Sequence, residues 1–144
     1  MLTSKIDSLI LQEFYNHYNS ETNSYIDILN EEKTNPYLKY CFYVGNNKIL
    51  GYITYLDIYD RFEISNIYVL REFRGNGIAS KMLQFVIDEG LNKKINNITL
   101  EVNSKNTSAI ALYHKFGFEI IGTYENYMKL NDRYLDVYLM NLYL

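Results

Sequence analysis

"REFRGNGIASKML", residues 71–83, decides how the rest of the chain is read. It places Gly75 and Gly77 one residue apart behind two arginines, in a chain with only 7 glycines. Before it runs "EISNIYVL", rich in β-branched and aromatic residues, which reads as a strand. After it Ile78, Met82, Leu83 and Val86 repeat at the spacing of one helix face. The glycines therefore sit on a turn from strand into helix. A helix start presents unpaired N–H groups and the positive end of the helix dipole, and glycine leaves those groups open to a ligand. The stretch is built to hold a phosphate.

The surrounding 144 residues suit one compact domain with a genuine core, and no repeat, low-complexity tract or proline-rich linker divides them. A formal charge of −3 argues against a general nucleic-acid binder and leaves room for a cationic substrate. A single cysteine, Cys41, excludes an internal disulfide and a multi-thiolate zinc site, so no metal is expected. No signal peptide or apolar run of membrane-spanning length is evident, and the expectation is a cytoplasmic protein without a membrane partner.

Residues 4–19 read as a helix with Ile6, Leu9, Ile10 and Phe14 on one face and His17 turned inward. A shorter helix follows near 24–32. "KYCFYVG" and "KILGYITYLDI" read as strands joined at the turn "GNNK". The helix after the glycines spans about 77–90 and is expected to close near Gly90. "NNITLEV" is a strand with Ile98, Leu100 and Val102 on one face and Thr99 and Glu101 on the other. "TSAIALYHKFG" is a helix with Ala109, Leu112, Tyr113 and Phe116 on one stripe, His114 on its outer face and Gly117 as its stop. Two strands, near 118–127 and 134–143, end the chain. The order implies a mixed α/β sheet closed as a single domain over 1–144.

"GNGIAS" alone also matches a dinucleotide fingerprint, but the acidic residue expected some 20 positions on is absent, since Ile95 stands there. A Walker-type loop fails because no Gly-Lys-Ser/Thr follows. A second motif, N-x-x-A-x-x-L-Y-x-x-x-G-F, runs from Asn106 to Phe118. Together with "REFRGNGIA" it resembles the GNAT (general N-acetyltransferase) superfamily. "ISNIYV" and a "LEV" whose Glu101 lies twelve residues ahead of Tyr113 are similar to the bacterial ribosomal-protein-alanine N-acetyltransferases. The resemblance runs from about Lys39 to the C-terminus.

The resemblance implies the GNAT fold, a central, mostly antiparallel sheet flanked by helices, and acetyl-coenzyme A as the acyl donor. The loop Arg74, Gly75, Asn76, Gly77, Ile78 and Ala79 would bind its pyrophosphate, with Arg74 also offering a guanidinium to a phosphate oxygen. The backbone of Ile67, Tyr68 and Val69 would line the acetyl and pantetheine arm, and Asn106 matches the family asparagine that touches the pantetheine. Two departures stand out. Arg71 occupies a position where proline is common in the family. The family's opening β-strand is not legible in "MLTSKIDSLILQEF", which reads as helix.

Acyl transfer from a thioester to an amine needs a neutral amine and a protonated leaving thiolate. A phenol with a pKa near 10 is still protonated at neutral pH, which suits Tyr113 to protonate the thiolate. Position alone makes Tyr113 a core tyrosine; the family match makes it the general acid, and Glu101 the general base. The acceptor implied is an amine, preferably a protein N-terminal α-amino group, of which a ribosomal protein is one case. The rivals are a small amine such as a polyamine or aminoglycoside, or a coenzyme A-binding module without turnover. Cys41 is read as a core residue rather than an acyl carrier. Asp57, Asp60 and Glu63 cluster around a strand connection expected near the acceptor mouth, either as a solvated turn or as an attractor for a basic peptide end.

Overall fold

Seven strands form one sheet in the order β1-β2-β3-β4-β5-β7-β6. The computed structural model describes every residue from Met1 to Leu144. The strands are β1 (Leu2–Thr3), β2 (Leu38–Gly45), β3 (Lys48–Ile58), β4 (Arg61–Val69), β5 (Asn97–Asn103), β6 (Glu119–Leu130) and β7 (Arg133–Tyr143). The helices are α1 (Ser8–Thr22), α2 (Ile28–Thr34), α3 (Ile78–Lys93) and α4 (Thr107–Lys115). Every strand pair is antiparallel except β4 with β5, whose connection is the α3 crossover. The expected mixed, mostly antiparallel sheet with flanking helices is therefore present.

Local chemistry accounts for most element ends. Asp7 caps α1 by accepting the Leu9 N–H at 2.8 Å, and Asp27 caps α2 by accepting that of Asn30 at 3.1 Å. Asn46 and Asn47 carry the positive φ values, 50° and 59°, that a two-residue hairpin turn between β2 and β3 requires. Gly117, at φ 96°, ends the segment after α4.

Four expectations need correction. The opening strand exists, but as two residues: Leu2 and Thr3 pair with Tyr43 and Phe42, and the terminal ammonium donates to Val44 O at 2.8 Å. Two residues carry no alternation to read, so only the pairing reveals them. Helix α1 begins four residues later than expected, at Ser8, and its inner stripe is Leu11, Phe14 and Tyr18. Leu9 and His17 instead face solvent, Leu9 at 76% exposure. Gly90 does not close α3; the helix continues to Lys93 and ends on Lys94 in the left-handed region, φ 58°. Gly90 is needed for space, because a Cβ there would lie 2.9 Å from both Ile95 Cδ1 and Leu144 Cδ1. The β6–β7 hairpin is longer than expected, turning only at Asn131 and Asp132.

The sheet is packed on both faces. On one, Met82, Leu83 and Val86 of α3 meet Ile53, Phe62, Ile98, Leu100 and Met140. On the other, Leu11 and Phe14 of α1, with Ile26 and Ile28, meet Phe42, Ile49 and Tyr52. No helix is long and apolar enough to cross a membrane. Because Leu83 is 0% exposed, Leu83→Ala should destabilise the protein by about 2–5 kcal/mol. Leu9→Ala should cost no more than about 0.5 kcal/mol despite its place in the sequence pattern. Urea unfolding midpoints of the two variants check the contrast.

Candidate active site

The site begins with a bulge in β4. Thr54 of β3 pairs with Asn66 but Tyr55 pairs with Ile64, leaving Ser65 as the extra residue, its hydroxyl 2.9 Å from that of Thr54. A bulge bends and twists its strand. Beyond it β4 parts from β5: the last parallel pair is Ile64 with Leu100, while Asn66–Val69 stay paired with β3 alone. The opening is a groove of about 580 Å³. It is lined by Ile67, Tyr68 and Val69 on one wall, the glycine turn at one end, and Asn106, Leu112 and Tyr113 on the other wall.

The glycine turn supplies the donors. A single 3₁₀ turn, Arg71–Phe73, leads from β4 into it. Gly75 and Gly77 hold φ values of 82° and 77°, in the region that favours glycine. Gly77 is the N-cap of α3, which has no side-chain cap. The first bonded N–H of the helix is that of Lys81, to Gly77 O at 3.1 Å. The N–H groups of Gly75, Asn76, Gly77, Ile78, Ala79 and Ser80 make no hydrogen bond within the chain. A Cβ on Gly75 or Gly77 would meet no atom within 4 Å, so the glycines answer to backbone conformation and open approach, not to packing.

Side chains brace this loop. Arg74 Nε donates to Val69 O at 2.8 Å, and its guanidinium lies 5.2 Å from the centroid of the Tyr68 ring. Asn76 Nδ2 donates to Phe73 O at 2.9 Å, and its side chain stiffens the loop and does not line the groove. Asn106 is the N-cap of α4, its Oδ1 accepting the Ala109 N–H at 3.3 Å, while the residue borders the groove.

On the α4 wall of the groove Tyr113 is 4% exposed and packed on Phe118. Burial alone pushes its hydroxyl up to about 12. Glu101 is the first residue of β5 past the last pair with β4. It is exposed, on the face opposite Leu100 and Val102. Tyr113 thus lines the groove, while Glu101 lies just past the fork on the solvent face of β5 and is not among the residues that line the groove.

The remaining candidates lie elsewhere. Cys41 is 0% exposed, its thiol pushed up to about 11 by burial, so it is no nucleophile at neutral pH. His114 Nδ1 is 3.0 Å from Phe118 O. The acidic cluster does not line the groove: Asp57 bonds Lys93 at the far end of α3, about 24 Å along the helix from its glycine start. Asp60 accepts from Asn96 and Glu63 from Arg61, so the cluster ties the β3–β4 turn to its surroundings. Sequence reasoning missed Phe73, Leu112 and Ser108 as groove-lining residues, because nothing in their local pattern distinguishes them from core or loop positions.

Comparison with known proteins agrees with this geometry. The chain is 29% identical over 97 residues to the [ribosomal protein bS18]-alanine N-acetyltransferase of Escherichia coli, covering 67% of this chain and 66% of that one. It is 43% identical over 73 residues to N-alpha-acetyltransferase 50 of Danio rerio, covering 48% of this chain and 42% of that one. The chain thus spans less than two thirds of the length of these curated relatives. The crystal structure of the ribosomal-protein-S18-alanine N-acetyltransferase from Escherichia coli superposes with a TM-score of 0.83 at 23% identity, over 99% of this chain and 92% of the other, which establishes the fold. The sequence profile of the acetyltransferase (GNAT) family matches residues 4–118, and the chain belongs to that family.

Proposed function

We propose that the protein transfers the acetyl group of acetyl-coenzyme A to an amine, preferably a protein N-terminal α-amino group, of which that of a ribosomal protein is one case. The observation that carries this reading is the run of unbonded N–H groups from Gly75 to Ser80, at one end of a groove that reaches the β4–β5 fork. Those donors and the dipole of α3 suit a pyrophosphate. The edge of β4 that faces away from β3, at Ile67–Val69, suits the amides of a pantetheine arm laid alongside it. The names of the relatives support the acceptor class: one acts on a ribosomal protein's alanine and the other is an N-alpha-acetyltransferase. Residues 1–144 act as one domain, in the cytoplasm.

In this reading Glu101 accepts a proton from the acceptor ammonium, directly or through water. The neutral amine attacks the thioester carbonyl and forms the C–N bond. The tetrahedral intermediate then breaks its C–S bond: Tyr113 donates its proton to the departing sulfur, and the second proton that the nitrogen sheds on becoming an amide restores the phenol through water. A phenol raised to about 12 is a weak acid for a thiol of ordinary pKa near 8.5. Burial disfavours a thiolate as it does a phenolate, so a sulfur leaving inside the groove is more basic than in water and more nearly matched to the phenol. The acceptor class follows from the base. An α-amine has a pKa near 8 and lysine near 10.4, so deprotonating lysine costs roughly 3.4 kcal/mol more. A single exposed carboxylate suits the α-amine.

Five outcomes are expected. Gly77→Val should weaken coenzyme A binding about tenfold or more by calorimetry. A Cβ there would meet no protein atom within 4 Å, so the loss would reflect the ligand's approach and the strained φ; unchanged affinity would remove the loop from the site. Tyr113→Phe should lower kcat by roughly 10²-fold with affinity held within a few fold. Because the acid stays protonated until pH approaches its raised pKa, the wild-type rate should show no descending alkaline limb below about pH 10. Glu101→Gln should lose most activity at neutral pH and regain part of it toward pH 9, where the amine deprotonates unaided. Mass spectrometry of acetylated peptides should find the label on the first residue; label mainly on internal lysine, or efficient turnover of polyamines only, would overturn the acceptor assignment.

A further inference from the structure

The N-terminal helix and the glycine turn are joined by one buried carboxylate. Glu21, the penultimate residue of α1, continues the inner stripe of Leu11, Phe14 and Tyr18, and its side chain is only 11% exposed. Its Oε1 accepts the backbone N–H of Arg71 at 3.0 Å and lies 3.6 Å from Arg71 Nε. Its Oε2 is buried without a hydrogen-bond partner. The His17 ring lies 4.0 Å from that oxygen, and the Tyr68 hydroxyl neighbours the carboxylate. A carboxylate in such a place carries a desolvation cost, and a helix stripe that wanted only packing would hold leucine there.

The cost has a counterpart at the other end of the bond. Arg71 opens the 3₁₀ turn that leads into Gly75 and Gly77, and that turn has no side-chain cap from its own sequence. Without Glu21 the Arg71 N–H would be an orphan donor at the root of the loop. The far side of the turn is tied down separately, by Arg74 to Val69 O and by Asn76 to Phe73 O. Glu21 is therefore the external tether of the loop's near side, and it comes from an element 50 residues away.

We infer that Glu21 is a positioning residue for the cofactor. By capping the Arg71 N–H it holds the phosphate-cradling loop in its binding conformation, so that docking of α1 sets the affinity for the pyrophosphate half of coenzyme A. This rests on the reading of the groove as a coenzyme A site.

The chain offers its own control. Proline lacks the N–H that Glu21 caps and is pre-organised for the first position of a helical turn. Leu70, the residue before, has the extended ψ of 137° that a following proline requires. Arg71→Pro should therefore leave coenzyme A affinity within about threefold of wild type, and it should make Glu21 dispensable. Coenzyme A and pantetheine, which lacks the pyrophosphate, are titrated into wild type, Glu21→Ala, Arg71→Pro and the double variant. Glu21→Ala should bind coenzyme A tenfold or more weakly, with pantetheine affinity changed less than twofold. The double variant should bind coenzyme A within about threefold of Arg71→Pro. Equal coenzyme A affinity of wild type and Glu21→Ala would overturn the inference. So would an equal loss in both backgrounds, or a parallel loss of pantetheine. If Glu21→Ala alone does not fold, a folded double variant with Arg71→Pro-like affinity supports the inference and a weakly binding one overturns it. A wild type that binds no coenzyme A would instead overturn the reading of the groove, and this inference with it.

Discussion

The parting of β4 from β5 is the constraint on which the rest of the site depends. A strand in the middle of a sheet has both backbone edges paired, and an unpaired buried edge is costly. Here the Ser65 bulge turns β4 away just after Ile64, and one edge of Asn66–Val69 is left facing a groove. The protein keeps this exposed edge in place by pairing its other side with β3 and by clamping its end, where Arg74 bonds Val69 O and covers the Tyr68 ring. The open edge and the open N–H groups at the start of α3 lie along one groove, and an extended ligand with an anionic end matches both.

The two packed faces of the sheet have different parts in this arrangement. The face under α3 is the larger core, and it fixes where the helix and its glycine start can lie relative to β4. The face under α1 holds an aromatic group in which Tyr18 meets Tyr52 and Tyr68 at right angles or close to it. Tyr68 thus has its backbone in the groove and its ring in the α1 layer. Through it and through Glu21, the helix pair at the chain's start bears on a loop formed much later in the chain.

Tyr113 and Glu101 illustrate how burial sets chemistry. Tyr113 belongs to the Asn106–Phe118 motif and Glu101 to the "LEV" stretch before it, and one is enclosed in the main core while the other stands in solvent. Enclosure raises the phenol and so extends its protonated range further into alkaline pH. Exposure is what leaves the Glu101 carboxylate open to water.

Much of this was legible in the amino-acid sequence. The Asn46–Asn47 hairpin, the strand before the glycines, the alternating β5 and the stripe of α4 all follow from local spacing and turn chemistry, because each depends on residues a few positions apart. So does the glycine turn, whose two positive φ values and unbonded donors match what Gly75 and Gly77 imply. The start of the chain was less legible: Leu9 repeats at helical spacing yet faces solvent, and β1 is too short to show a pattern. Only the folded chain decided that Ser65 is bulged, that Gly90 is a close contact and not a helix stop, and that Asp57 belongs to the far end of α3. It alone joined Glu21 to Arg71. Each of these is a contact between segments distant in sequence, set by how helices and strands pack, and no local pattern of residues encodes it.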